Sequence, residues 1–367
     1  MPLPPPNLPT PDHLLASSPV RELCSGVDAL YLSGRAELSP LLFEVLEEHR
    51  SDAEESDGPV ALSLAGEEFW VEPRAFGKYR YRLTHPGGLV GVTASEHLPA
   101  LRVQPRAEFI HGAGPEVALE FFAGVGEYLA GGPVSWSLSR LDLFCDVQGW
   151  DLEGDDRRRF VCRADRRDLH EHGDCFGGFE FGRRTTKTVC ARIYDKSRQV
   201  DDKGLDWWPA IWGDRYDRTR PVLRIEAEIG RQGLLEYVVD SPSDGLAAAG
   251  EIWANVTETW LTYRTPTADE TRARWPIAPE WAQIQRASLR NEAIGVQRVR
   301  ALRRSGEIRK LLPTLVGYSA RVGALLRTED IDTTIAAIGE LFRSDELRRG
   351  VPFAHRVAER AAEEARR

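Results

Sequence analysis

Nothing in the 367-residue chain marks it for a membrane or an oxidising compartment. No apolar run approaches the roughly 20 residues that span a bilayer, and the N-terminus lacks the basic and apolar regions of a secretory signal. The expectation is a soluble, unexported protein. The five cysteines (Cys24, Cys145, Cys162, Cys175, Cys190) include no Cys-x-x-Cys spacing, and an odd count makes a poor disulfide framework. A reducing cytoplasm is the expected home. Net positive charge is missing too: at −9, the surface cannot embrace nucleic acid all round, so any DNA contact must be regional. A dinucleotide-type phosphate loop is also absent. Gly177-Gly178-Phe179-Glu180-Phe181-Gly182 lacks the GxGxxG order and a following helix, and reads as a hairpin bend.

What is present is a globular composition, 42% hydrophobic, over a length that suits one large domain or two ordinary ones. Residues 1–20 form a Pro-rich tail, because proline lacks a donor and fixes φ. Strands are expected at 27–32, 69–71, 79–83, 89–93 and 101–103, with a helix opened by Ser39-Pro40 and running through Leu46. An amphipathic helix follows over 115–129. The order then repeats: strand 139–147, a helix near 155–164, a hairpin into a strand at 191–196, strand 222–230, and a helix near 246–262. The fold class is therefore α+β: a twisted, mainly antiparallel sheet platform with covering helices, in which a β-α-ββ-β-α unit is duplicated at the level of pattern. Residues 21–265 make this domain, with chemistry assigned to 135–265 alone. Pro276 and Pro279 punctuate a linker at 266–279, and a helical module occupies 280–367. That module carries the expected basic patch, Arg286 to Lys310, including Arg298, Arg300 and Arg303, opposed between those limits only by Glu292 and Glu307.

Three strands share an unusual alternation. Side chains on a strand alternate with period two, so Arg192, Tyr194 and Lys196 share one face. Arg140, Asp142 and Asp146 do so upstream, as do Arg224, Glu226 and Glu228 downstream. One such strand by itself makes solvated ion pairs. Three of them, one bearing a tyrosine between cations, gather carboxylates around a phenol, which suggests metal-assisted attack on a phosphodiester. A phenol of pKa about 10 attacks poorly at neutral pH unless its anion is stabilised, a role expected of Arg192 and Lys196. A hard cation, Mg²⁺ or Mn²⁺, prefers carboxylate oxygens, and Asp142 and Glu226 are the leading ligands, with Asp146 and Glu228 beside them. Trp207, Trp208 and Trp212 are expected to form a lid, and His170-Glu171-His172 a solvated loop in preference to a metal-holding pair.

At these residues the chain resembles the replication initiation factor family of rolling-circle plasmid initiators and related conjugative-element relaxases, the actinobacterial members above all. The matching blocks are Ser139-Arg140-Leu141-Asp142-Leu143-Phe144-Cys145-Asp146, Gly178 to Gly182 leading to Arg192-Ile193-Tyr194-Asp195-Lys196, and Leu223-Arg224-Ile225-Glu226-Ala227-Glu228. The aromatic Trp207-to-Trp212 segment and Arg274-Trp275-Pro276 follow in the same order, so the resemblance spans roughly 139–281. Asp195 stands where the family commonly has asparagine. The resemblance implies Tyr194 as nucleophile, with Arg192 and Lys196 beside it, and Asp142 and Glu226 as metal ligands. Asp146 and Glu228 match neighbouring acidic positions. It also implies a site-specific nick in double-strand origin DNA, a 5′-phosphotyrosyl link, recruitment of a host helicase and often a homodimer. Arg140, Arg224, Arg298, Arg300 and Arg303 are the candidate DNA contacts. A conjugative relaxase would use the same chemistry at a transfer origin, and a DNA-binding protein of the same fold without activity is the alternative from another class.

Overall fold

Long alternating segments build the centre of the molecule. The computed structural model describes residues 20–173, 175–184, 188–290 and, further on, 319, 322–328, 330–349, 354–355 and 357. The first half runs β1 (Arg21–Arg35), α1 (Pro40–Glu55), β2 (Val60–Leu64), β3 (Glu67–Glu72), β4 (Tyr81–His85), β5 (Gly88–Val92), β6 (Leu101–Pro105), α2 (Ala107–Ala113) and α3 (Pro115–Ala130). The second runs β7 (Ser135–Gln148), β8 (Phe160–Cys162), β9 (Arg167–His172), β10 (Cys175–Gly182), β11 (Val189–Asp195), α4 (Lys196–Lys203), α5 (Trp208–Trp212) and β12 (Leu223–Gly230). After it come α6 (Arg231–Glu236), α7 (Pro242–Ala247), α8 (Ala249–Asn255), β13 (Leu261–Tyr263) and α9 (Pro279–Gln285).

Eleven strands form one sheet in the order β2-β3-β4-β5-β6-β1-β7-β12-β11-β10-β9, and every neighbouring pair is antiparallel. The opening strands of the two halves, β1 and β7, lie side by side at its centre. Each half then meanders outward and returns, so that its last sheet strand (β6 or β12) pairs with its first. The repeat expected from sequence pattern is thus present in topology, with β2 extra on the first side. Ser39 caps α1 by accepting from the Leu42 amide at 3.2 Å, ahead of Pro40.

The apolar faces of β7, β12, β11 and β10 share a core with Phe160, Trp253, Tyr263 and Trp281. This core explains three departures from expectation. Residues 154–159 form a 3-10 turn, and the chain then extends as β8 to pair with β13 and bury Phe160, which a longer helix would not allow. The helix expected over 246–262 is broken into α7, α8 and a π-turn so that Leu261–Tyr263 can extend beside β8. The 266–279 segment and α9 belong to this unit: Trp281 and Ile284 are fully buried, and the Ser288 amide donates to Glu22 of β1 at 3.1 Å. The second compact unit begins at residue 300; most of its described residues are helical, the longest stretch being α10 (Ile331–Arg349). Arg298, Arg300 and Arg303 lie outside the described residues.

Candidate active site

Register places the three alternating strands so that their polar residues meet in rows. Tyr194 pairs with Arg224 and Arg224 with Asp146; Arg192 pairs with Glu226; Glu228 pairs with Asp142. Residues directly opposite one another in a sheet share a face, so all of them project to the side away from the core. The phenol Oη of Tyr194 donates to Glu226 Oε2 at 2.8 Å, while Arg192 forms an ion pair with Glu226 Oε1 and sits 5.7 Å from the tyrosine ring centroid. Arg140 grips Asp142 and reaches Glu228 Oε2 at 2.8 Å, where Arg184 also donates at 2.7 Å.

Burial inverts one expectation. The Tyr194 phenol is pushed well above its usual pKa, first by burial and then by the negative charge of Glu226; Arg224 and Arg192 pull the other way without prevailing. A standing phenolate is therefore not what the cations supply. What the geometry provides is a carboxylate already accepting the phenol's hydrogen bond, placed to take its proton during attack. Gly178 allows β10 to approach the Tyr194 backbone closely: it lies opposite Tyr194 at φ 150°, and a Cβ there would come within 2.5 Å of the Ile193 carbonyl and 3.1 Å of Tyr194 Cβ.

Arg224 and Lys196 take other places than expected. Arg224 is fully buried, with its guanidinium between the rings of Phe144 and Trp208, at 4.1 and 4.3 Å from their centroids. It donates twice to Asp146, at 2.7 and 2.8 Å, and once to Asp28, at 2.7 Å. This position precludes a DNA contact. Asp146 is equally occupied, since Trp212 Nε1 also donates to it at 2.8 Å. Lys196 is buried as well: its ammonium donates to Gln199 and lies 4.6 Å from the Trp208 centroid, so it belongs to the tryptophan cluster. Trp208 and Trp212 pack down on the sheet as a fixed wall. His170, expected in a loop, lies on the edge strand β9, exposed, with Nε2 3.8 Å from Glu180.

Two residues of the site come from the first half and were not anticipated. The register between β1 and β7 skips Asp28, a bulge between Val27 and Ala29, and the extra residue turns its carboxylate onto Arg224. His111 of α2 approaches Asp28 at 3.1 Å and meets Trp208 edge to face. Asp28 is held well below the usual carboxylate range: burial opposes this, and Arg224 and His111 overcome it. A bulge breaks the period on which sequence reading depends, which hid Asp28, and His111 sits on the short helix α2, which the sequence pattern did not separate from the helix after it.

The charge economy decides which residues suit a metal ion. Among the described residues, no three His, Cys, Asp or Glu side chains are posed to hold an ion together; arginines occupy the carboxylates instead. The donor chemistry nevertheless fits a hard cation at Asp142 and Glu226. Burial above all, and then the charges of Glu226 and Glu228, raise the Asp142 carboxyl to about 7 against the pull of Arg140, so its charged form gains from a further cation. Asp146 does not fit, because the Arg224 that holds both its oxygens is itself fully buried, whereas Arg140 and Arg192, which occupy the oxygens of Asp142 and Glu226, are partly exposed and could swing aside.

No protein-family model matches the chain, and no curated protein matches it. Among solved structures it is similar to the rolling circle replication initiator protein from Geobacillus stearothermophilus, with 16% identity and a TM-score of 0.41 over 72% of this chain and 97% of that one. The chain's own residues therefore carry the functional reading. No helix among the described residues is long and apolar enough to cross a membrane.

Lys196 offers a first measurable consequence. Burial, then Arg224, lowers its pKa to about 8. The unfolded chain keeps a pKa near 10.4, so burying the charged form costs stability at all pH values below about 8, and that cost is relieved as pH rises from 8 towards 10. Lys196→Met is expected to raise stability at pH 7 by about 1–3 kcal/mol and to flatten the rise that the unmodified protein shows between pH 8 and 10. Urea titrations across that range check both; equal stability of the two proteins at pH 7 contradicts the assignment.

Proposed function

We propose that the protein nicks and rejoins one strand of DNA at a rolling-circle replication origin, using Tyr194 as the nucleophile. The observation that carries this reading is the Tyr194 Oη to Glu226 Oε2 hydrogen bond on a polar sheet face, with Arg192 fixing the same carboxylate. As the phenol oxygen bonds to the scissile phosphorus, its proton passes to Glu226 and the P–O3′ bond breaks. The 3′ oxygen leaves as a hydroxyl after taking up a proton. A 5′-phosphotyrosyl bond then stores the energy of the phosphodiester, and attack by a 3′-hydroxyl on it reseals a strand. Proton transfer concerted with attack suits a phenol whose pKa is raised.

Arg192, half-buried beside the ring, is placed to meet the non-bridging oxygens of an incoming phosphate. Asp142 and Glu226 would hold a Mg²⁺ or Mn²⁺ ion, which when bound supplies charge stabilisation at the phosphoryl oxygen. The intact pairing of phenol and carboxylate favours this reading over an inactive DNA-binding protein.

The test uses supercoiled DNA carrying the cognate origin, with denaturing gels to detect protein bound to DNA. Glu226→Gln is expected to slow adduct formation about 10²–10³-fold. Asp142→Asn is expected to impair it, and EDTA to abolish it until Mn²⁺ or Mg²⁺ is restored, with origin binding retained throughout. Adduct formation at the normal rate by Glu226→Gln would overturn the base assignment, and full activity in EDTA would remove the metal from the proposal.

A further inference from the structure

Behind the edge strand, on the side away from Tyr194, arginines gather from the run 157–167 and from Arg272, more than a hundred residues further on. Arg157 and Arg158 come from the 3-10 turn, Arg163 follows β8, Arg167 opens β9, and Arg272 arrives from beyond β13. They line a cavity of about 580 Å³ in which Asp165 is the single carboxylate. Arg167 pairs with Phe181, on the apolar side of β10, which sets the cavity on the opposite face of the sheet from the phenol. Only the outermost strand, β9, forms the sheet's edge there.

The arrangement is built. Arg167 is fixed by the carbonyls of Phe160 at 3.4 Å and Cys162 at 2.9 Å; Arg157 donates to the Arg167 carbonyl and Arg272 to the Arg158 carbonyl, each at 3.0 Å. The nearby acids serve other arginines: Asp156 pairs with Arg159, Asp168 with Arg166, and Asp269 with Arg274. Among the described residues, none of the five lining arginines has a carboxylate within ion-pairing distance, and the guanidiniums of Arg158 and Arg163 have no hydrogen-bond partner. Both side chains are exposed. In a chain of net charge −9, five arginines around the one carboxylate of Asp165 leave a local positive field that attracts anions. Guanidinium forks match phosphate oxygens. The lining offers no aromatic ring to stack a base, so recognition would rest on phosphate alone and ignore sequence.

We infer that this arginine cavity is a second DNA contact, a sequence-independent clamp on the phosphodiester backbone of the duplex beside the nick, which passes round the β9 edge to the Tyr194 face. The identity of the anion rests on the proposed function; the site itself does not. The test is fluorescence anisotropy of the full chain with a labelled mixed-sequence duplex across a salt series, using Arg158→Ala/Arg163→Ala and Arg158→Lys/Arg163→Lys. Neither side chain supports the fold, so both variants should melt like the unmodified protein.

The alanine pair is expected to bind duplex about ten-fold more weakly at moderate salt, and to flatten the slope of log K against log salt by about 1.8, since each phosphate contact contributes about 0.9. The lysine pair should keep the slope and most of the affinity. Wild-type affinity and slope in the alanine pair would overturn the clamp. So would duplex binding by the unmodified protein that does not vary with salt. Calorimetry with inorganic pyrophosphate separates the other source of phosphate. Tight pyrophosphate binding lost in the alanine pair, with duplex affinity unchanged, would give the cavity to a free anion and also overturn the clamp. Adduct formation on a short single-stranded oligonucleotide reports on Tyr194 separately, and should be equal in all three proteins.

Discussion

Tyr194→Phe is expected to remove the covalent protein–DNA adduct completely, a fall of at least about a thousand-fold, while the protein stays folded and binds origin DNA as before. The substitution deletes one oxygen. Glu226 loses the donor at 2.8 Å but keeps its ion pair with Arg192, so the carboxylate is not left uncompensated. The stability change should be about 1.5–3 kcal/mol, the worth of one hydrogen bond to a charged group. The ring itself keeps its place opposite Gly178. A reader of gels would therefore see supercoiled substrate untouched, with DNA binding intact by anisotropy. Continued nicking without an adduct would instead identify water as the nucleophile.

Arg224→Ala carries the largest expected loss of stability. The guanidinium neutralises Asp146 and Asp28 together in a pocket closed by Phe144 and Trp208. Its removal strands the fully buried Asp146 carboxylate and leaves the partly buried Asp28 with His111 as its close partner, and breaking a buried pair in this way costs about 3–5 kcal/mol. Against a total stability of about 5–15 kcal/mol, that is about a fifth of the fold or more. The urea midpoint should fall sharply with little change in slope. Adding Asp146→Asn to Arg224→Ala should restore part of the loss, because the stranded charge is then gone. A fall below about 1 kcal/mol would mean that the network relaxes by letting in water or by taking up protons.

These two residues also show what the sequence discloses and what it hides. Tyr194 and Glu226 could be placed on one face because strand periodicity is fixed by backbone geometry, and the register of β11 on β12 follows from keeping Ile193, Ala227 and Ile225 in the core. The same logic put Arg224 on that face correctly. It could not say that the face is divided, exposed near Arg192 and sealed under the tryptophans near Arg224, since that depends on where α5 docks. The bulge at Asp28 was hidden because it violates the period. Strand β9 was hidden because an edge strand tolerates charge, so Arg167-Asp168-Leu169-His170-Glu171-His172 looks like loop. The arginine cavity needed Arg272 brought beside Arg158 by the pairing of β13 with β8. Proline content around 276–279 suggested a linker, yet Ala278 and Trp281 are buried in the core.

The account rests on one covalent bond, and the most direct measurement is to find it. After reaction with origin DNA, the adduct is trimmed with nuclease, digested with trypsin and read by mass spectrometry. The account predicts a nucleotide joined through its 5′ phosphate to the peptide containing Tyr194, and no such peptide from Tyr194→Phe. A nucleotide on any other residue, or nicked DNA whose 5′ phosphate is free, would contradict it.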